Sequence, residues 1–188
     1  MEIVCLGDSL TAGYNIAPDQ GWVALLNAET PHTWHNSGVF GDTLSGMLAR
    51  LYTQVIPSRP DMVLLMGGYN DLFLTGSSHS AKTGVMAGLH ACIHAQIRPV
   101  LCVPPKAGPL PESWAAFSEN SGDDRLVDDY LAWLRDLAAS LHLRCVDFDR
   151  AFRQYEGPQA LLQPDRLHQT ALGHRLMADA VKGSGYFI

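Results

Sequence analysis

Short apolar runs recur along this chain, separated by longer stretches in which apolar residues return every three or four positions. Ile3-Val4-Cys5-Leu6 is too short for a helix and rich in strand formers, so Met1–Leu6 reads as a buried strand. A helix is expected around Gly21–Ala28, then a short strand near Thr33–Asn36. A second helix should run from about Leu44 to Val55 and stop before Pro57. Asp61–Met66 is the clearest buried strand, bounded by Pro60 and by Gly67-Gly68. A helix around Ala81–Gln96 leads to a strand at Pro99–Val103. From about Asp123 to Leu141, the spacing of Leu126, Tyr130, Leu134, Leu137 and Leu141 marks one buried helical face. Arg144–Phe148 is the fifth strand, and Thr170–Lys182 the last helix, ending at Gly183. Strands alternating with helices in this way predict a parallel sheet covered on both faces.

Composition narrows the reading. The 188 residues suit one domain, 1–188, with 47% hydrophobic and 17% charged residues. A formal charge of −6 without a basic run argues against nucleic acid and against electrostatic attachment to an acidic membrane. No stretch is long and apolar enough to insert stably in a bilayer. The first strand starts at once, without the pattern of a secretory signal, so the expected location is cytoplasmic. Four scattered cysteines, none in a C-x-x-C pair, read as buried free thiols. A monomer is the default oligomeric state.

The stretch around which the chain is organised is Gly7-Asp8-Ser9-Leu10. A strand ending at Gly-Asp-Ser turns sharply, which lifts Ser9 out of the carboxyl edge of the sheet, where ligands of open α/β sheets bind. Ser9 is placed like a nucleophile, although serine is also a favoured helix cap. A serine nucleophile needs a base, a group that orients the base and donors for an oxyanion. Among eight histidines, His168 stands out because it follows Asp165 just before the last helix, although by itself this segment reads better as a turn begun by Asp165 after Pro164. His90 and His94 lie four apart on a predicted helix but lack a third ligand, so no metal is expected. Gly41, in the loop after the second strand, could supply a backbone N–H, and Asn70, after the third, a side-chain amide. Read alone, these are a loop with an Asp42 or Thr43 cap and a turn at Asn70-Asp71. All four spots fall on one edge of the predicted sheet.

Gly7-Asp8-Ser9-Leu10, Gly41, Gly68-Tyr69-Asn70-Asp71 and Asp165-Arg166-Leu167-His168 resemble, in order, the four blocks of the SGNH (GDSL) hydrolases. Leu6 to Tyr14, with Gly21-Trp22 and Leu25-Leu26, is most similar to their compact bacterial esterase/thioesterase/lysophospholipase branch. The resemblance implies a three-layer α/β/α flavodoxin-like sandwich with a five-stranded parallel sheet in the order 2-1-3-4-5. It implies Ser9, Asp165 and His168 as a catalytic triad, with the Ser9 and Gly41 N–H groups and Asn70 as the oxyanion hole, and no cofactor. Tyr69, bulky where that branch often has Gly or Thr, is expected to narrow the site or offer a hydroxyl. Gln169 replaces the Pro found after the histidine in many relatives.

The expected activity is hydrolysis of a small-molecule acyl ester or thioester. Removal of acetyl groups from a carbohydrate is the alternative on the same fold. A non-catalytic flavodoxin-like ligand-binding domain is the alternative of another class, disfavoured because Asp8 beside Ser9 would repel a phosphate. The Pro-rich stretch from Pro104 to Gly122 carries Trp114 and Phe117, which would serve either as a wall for the substrate or as pins holding the loop to the core.

Overall fold

The computed structural model describes residues 1–108 and 124–187. Five parallel strands form the sheet in the order 2-1-3-4-5: β1 Glu2–Gly7, β2 Thr33–Gly38, β3 Met62–Met66, β4 Arg98–Val103 and β5 Arg144–Asp147. β1, β3 and the end of β4 are buried on both faces, which is why they read as unbroken apolar runs. β2 is an edge strand in which only Trp34 is buried.

The helices are α1 Ser9–Ala12, α2 Trp22–Glu29, α3 Leu44–Arg50, α4 Ile56–Ser58, α5 Tyr69–Thr75, α6 His79–His94, α7 Asp124–Ser140, α8 Phe148–Gln154 and α9 Ala171–Gly183. α2, α8 and α9 pack together on one side of the sheet, and α3, α5, α6 and α7 on the other. Cys5, Cys92 and Cys102 are buried, Cys145 is half-buried, and all four are free thiols. Among the described residues, no helix is long and apolar enough to cross a membrane.

Four details depart from the sequence pattern. The helix beginning at Leu44 does not stop before Pro57. It widens into a π turn at Leu51–Val55, and the chain stays helical through Pro57 to Ser58. The wider turn relieves the clash between a proline ring and the preceding turn. Phe148 begins α8 rather than ending β5, because the Asp147 carboxylate accepts the Arg150 N–H at 2.9 Å and caps a new helix. α5 also starts where only a turn was expected. Leu141 is half exposed: α7 ends at Ser140, and its buried stripe runs through Val127, Tyr130, Leu131, Leu134 and Ala138.

Candidate active site

In the order 2-1-3-4-5 the chain leaves β1 toward β2 and leaves β3 the opposite way, toward β4, so a crevice opens between the carboxyl ends of β1 and β3. Backbone crowding there demands glycine. A Cβ on Gly7 would run into the Thr11 side chain and the Met66 carbonyl; one on Gly38, its partner across the β1–β2 pair, would overlap the backbone of Ala12. α1 therefore crosses close over the strand ends. Its cap is Asp8, whose carboxylate accepts the Leu10 N–H at 2.9 Å, and not Ser9. Ser9 is the first helical residue, and its N–H has no partner among the described residues.

The Ser9 hydroxyl Oγ lies 2.9 Å from His168 Nε2. The other ring nitrogen, Nδ1, is 2.7 Å from Asp165 Oδ2, and Asp165 Oδ1 accepts the backbone N–H groups of Leu167 and His168, both at 3.0 Å. Arg166 takes a left-handed backbone, φ 59°, to make this tight return. Burial pulls the Asp165 carboxyl upward, but the hydrogen bonds from the His168 ring and from both N–H groups hold it below the ordinary carboxylate range. An ionised Asp165 fixes the tautomer that presents Nε2 to Ser9. Tyr14 stacks on the imidazole, ring centroids 4.2 Å apart.

Gly41 follows β2 and Asn70 follows β3, on either side of the β1 end that carries Ser9. Gly41 has φ +72° and open space where a Cβ would stand, so glycine is needed there for its backbone and not for room. Its N–H has no partner among the described residues. One hydrogen of the Asn70 amide goes to the Asp42 carbonyl at 2.8 Å, which fixes the side chain and leaves the second for a ligand. Thr43 caps α3 by accepting the Gly46 N–H, so this loop is both a cap and a part of the site.

Two residues in the site's support did not stand out in the sequence. Arg50 donates to the carbonyls of Ser37 and Gly7, at 2.7 and 3.1 Å, and pairs with Asp42 at 2.6 Å, tying the ends of β1 and β2 to the Gly41 loop. The Gln163 N–H donates to the His168 carbonyl at 2.7 Å, and its side-chain amide donates to the carbonyls of Tyr14 and Gln169. Arg50 reaches back to Gly7 and Gln163 to Tyr14, carbonyls far away in sequence that no local pattern announces.

Tyr69 corrects its expectation. It is buried, and its hydroxyl donates to the Pro105 carbonyl at 2.9 Å while accepting the Ala107 N–H, so it braces the exit of β4 and has no hydroxyl to offer a substrate. Trp114 and Phe117 lie outside the described residues. Gln169 is buried and donates to the Leu167 carbonyl. Among the described residues no three metal-ligating side chains gather, and His90 and His94 are exposed on α6.

Two buried groups carry unusual proton affinities. Burial, reinforced by the nearby Asp42 and Asp71, pushes the Asp8 carboxyl up to about 7, against the Leu10 hydrogen bond that lowers it. Burial, with a smaller push from the positive potential of His168, brings His174 down to about 4; its Nδ1 accepts the Trp22 N–H at 3.3 Å, which holds the ring neutral in the core.

Residues 5–176 match the GDSL-like lipase/acylhydrolase family. An arylesterase of Vibrio mimicus is 39% identical over 75 residues, 37% of this chain and 38% of that protein. The esterase TesA of Pseudomonas aeruginosa is 35% identical over 74 residues, 37% of each. The matched stretch thus spans little more than a third of either relative. The crystal structure of a lipolytic G-D-S-L family protein from Veillonella parvula superimposes with a TM-score of 0.84 at 20% identity, over 100% of both chains, a likeness of fold.

Proposed function

Because the chain belongs to the GDSL-like lipase/acylhydrolase family, we propose that it is a serine hydrolase of small acyl esters, working through Ser9, His168 and Asp165. The observation that carries this reading is the continuous hydrogen-bond chain Ser9 Oγ–His168 Nε2 at 2.9 Å and His168 Nδ1–Asp165 Oδ2 at 2.7 Å. Ser9 Oγ attacks the acyl carbon while His168 Nε2 takes its proton. The oxygen that becomes negative is received by the N–H groups of Ser9 and Gly41 and by the free amide hydrogen of Asn70. The intermediate collapses, the leaving alcohol takes the proton back from His168, and an acyl-Ser9 ester remains. Water, deprotonated by the same imidazole, then releases the acid and restores Ser9. Asp165, ionised throughout, stabilises the imidazolium formed in each half.

Support also comes from the names of the relatives, an arylesterase and an esterase. A thioester would pass through the same steps, with a thiol leaving. The test is hydrolysis of p-nitrophenyl acetate and of an acyl thioester by the wild-type chain and by Ser9→Ala. Turnover in the variant should fall at least about a thousandfold on whichever substrate the wild type accepts. Undiminished turnover in Ser9→Ala would overturn the reading.

A further inference from the structure

The triad leaves unexplained a cluster of exposed apolar side chains at its rim. Tyr14 is 39% exposed, Val39 44% and Phe40 60%; Trp22, Tyr69, Tyr130 and Phe148 are buried, and the exposed Tyr52 stands apart on the π turn, away from this cluster. The three are held in register with the site. Tyr14 lies on the last turn of the loop from Ser9, its N–H donating to the Ser9 carbonyl at 3.2 Å, and the Val39 N–H donates to the Gly7 carbonyl at 3.1 Å. One face of the Tyr14 ring covers His168, and its edge meets Phe40 at 5.6 Å with the planes 88° apart, a favourable edge-to-face contact. An apolar corner open to water beside a reactive group marks a place for a ligand.

The chemistry says which part of the ligand. In acyl transfer the carbonyl oxygen points at the oxyanion donors, and the leaving oxygen must lie next to the imidazole that protonates it. Whatever stands beside His168 therefore borders the leaving group and not the acyl chain. Tyr14 covers that imidazole, and Phe40 extends the same wall outward. We propose that Tyr14 and Phe40, with Val39, form a leaving-group subsite that selects esters of aromatic or bulky apolar alcohols. This rests on the esterase reading above and deepens it. Gln163 is part of the same device, since its amide holds the Tyr14 carbonyl while its N–H holds that of His168, keeping wall and base together.

The experiment separates the two sides of the ester. One series keeps the acetyl group and varies the alcohol: ethyl, benzyl, phenyl and 2-naphthyl. The other keeps one phenol and varies the acyl chain from acetyl to octanoyl. Each variant is compared with wild type on the same ester, so intrinsic reactivity cancels. In Phe40→Ala the ratio of kcat/KM for 2-naphthyl over ethyl acetate should fall roughly tenfold, as loss of an apolar pocket contact does. The dependence on acyl length should stay parallel to wild type, and Phe40→Trp should restore the ratio. Phe40 is exposed, so a melting curve should confirm that the fold is intact. Equal losses across both series, a loss that grows with acyl length, or no change at all would each overturn the subsite. If the wild type hydrolyses none of these esters, the esterase reading itself fails and takes the subsite with it; an active wild type with an indifferent Phe40→Ala sinks the subsite alone.

Discussion

Gln163 holds His168 from behind: its N–H donates to the His168 carbonyl at 2.7 Å, and its side-chain amide reaches across to Tyr14, the residue stacked on the imidazole. Gln163→Ala removes the side-chain bonds and keeps the backbone one. Because small misplacement of a base is expensive in rate, kcat should fall about tenfold with KM little altered. A matching rise in KM with kcat preserved would make Gln163 a substrate contact.

Asn70→Ala should lower kcat by roughly 10²–10³ and leave KM nearly unchanged, because a donor to the oxyanion matters most when charge develops. The same substitution removes the bond to the Asp42 carbonyl, so a melting curve belongs beside the kinetics. A variant with unchanged kcat and raised KM would show Asn70 binding the ground state only.

Arg50 and Asp42 form a pair only 17% and 12% exposed, and Arg50 also satisfies two strand-end carbonyls. Arg50→Met should destabilise the fold by about 2–4 kcal/mol, since it leaves a largely buried carboxylate and the Ser37 carbonyl without their donor, while the Gly7 carbonyl keeps the Val39 N–H. Lysine should not rescue it, because one ammonium cannot reproduce the planar fork. Chemical denaturation of the two variants checks this, and full stability in Arg50→Lys would contradict it.

Asp8 gives the fold a pH dependence of definite sign. Its ordinary value is 3.8 and its folded value is about 7, so between these the folded chain keeps a proton that the unfolded chain has lost. Stability from this group therefore falls as pH rises from about 4 to 7 and is level above. His174 works the other way: brought from 6.5 to about 4 in the fold, it makes stability fall as pH drops through that range. The wild-type curve mixes both, but Asp8→Asn keeps an acceptor for the Leu10 N–H and removes one of them. Relative to wild type, the variant should gain stability steadily from pH 4 to 7, reaching on the order of a few kcal/mol. A difference in melting temperature that does not vary with pH would contradict the assignment.

Much of this was legible in the residues because the strongest patterns are local. Asp61–Met66 and Pro99–Val103 announce strands by unbroken apolar runs, and the structure sets them side by side as β3 and β4. Gly7, Gly41, Asn70 and Asp165-His168 were expected on one edge, and the parallel order 2-1-3-4-5 brings those strand ends together. What escaped depends on tertiary partners. Tyr69 is aromatic beside Asn70, so it read as facing the site, yet burial turns its hydroxyl to the Pro105 carbonyl. Phe148 looked like the end of a strand because the cap at Asp147 is one ordinary aspartate. Arg50 and Gln163 carry no signal for their longest reaches, to the carbonyls of Gly7 and Tyr14, which only the fold places beside them.

The central claim is that Ser9 is the nucleophile, and covalent trapping tests it most directly. The wild-type chain would be treated with a fluorophosphonate, weighed intact, digested, and the modified peptide sequenced by mass spectrometry. The account predicts one adduct per chain, on Ser9, formed in step with loss of esterase activity, and none in Ser9→Ala. An adduct on any other residue, or ester turnover that survives full modification of Ser9, would contradict it.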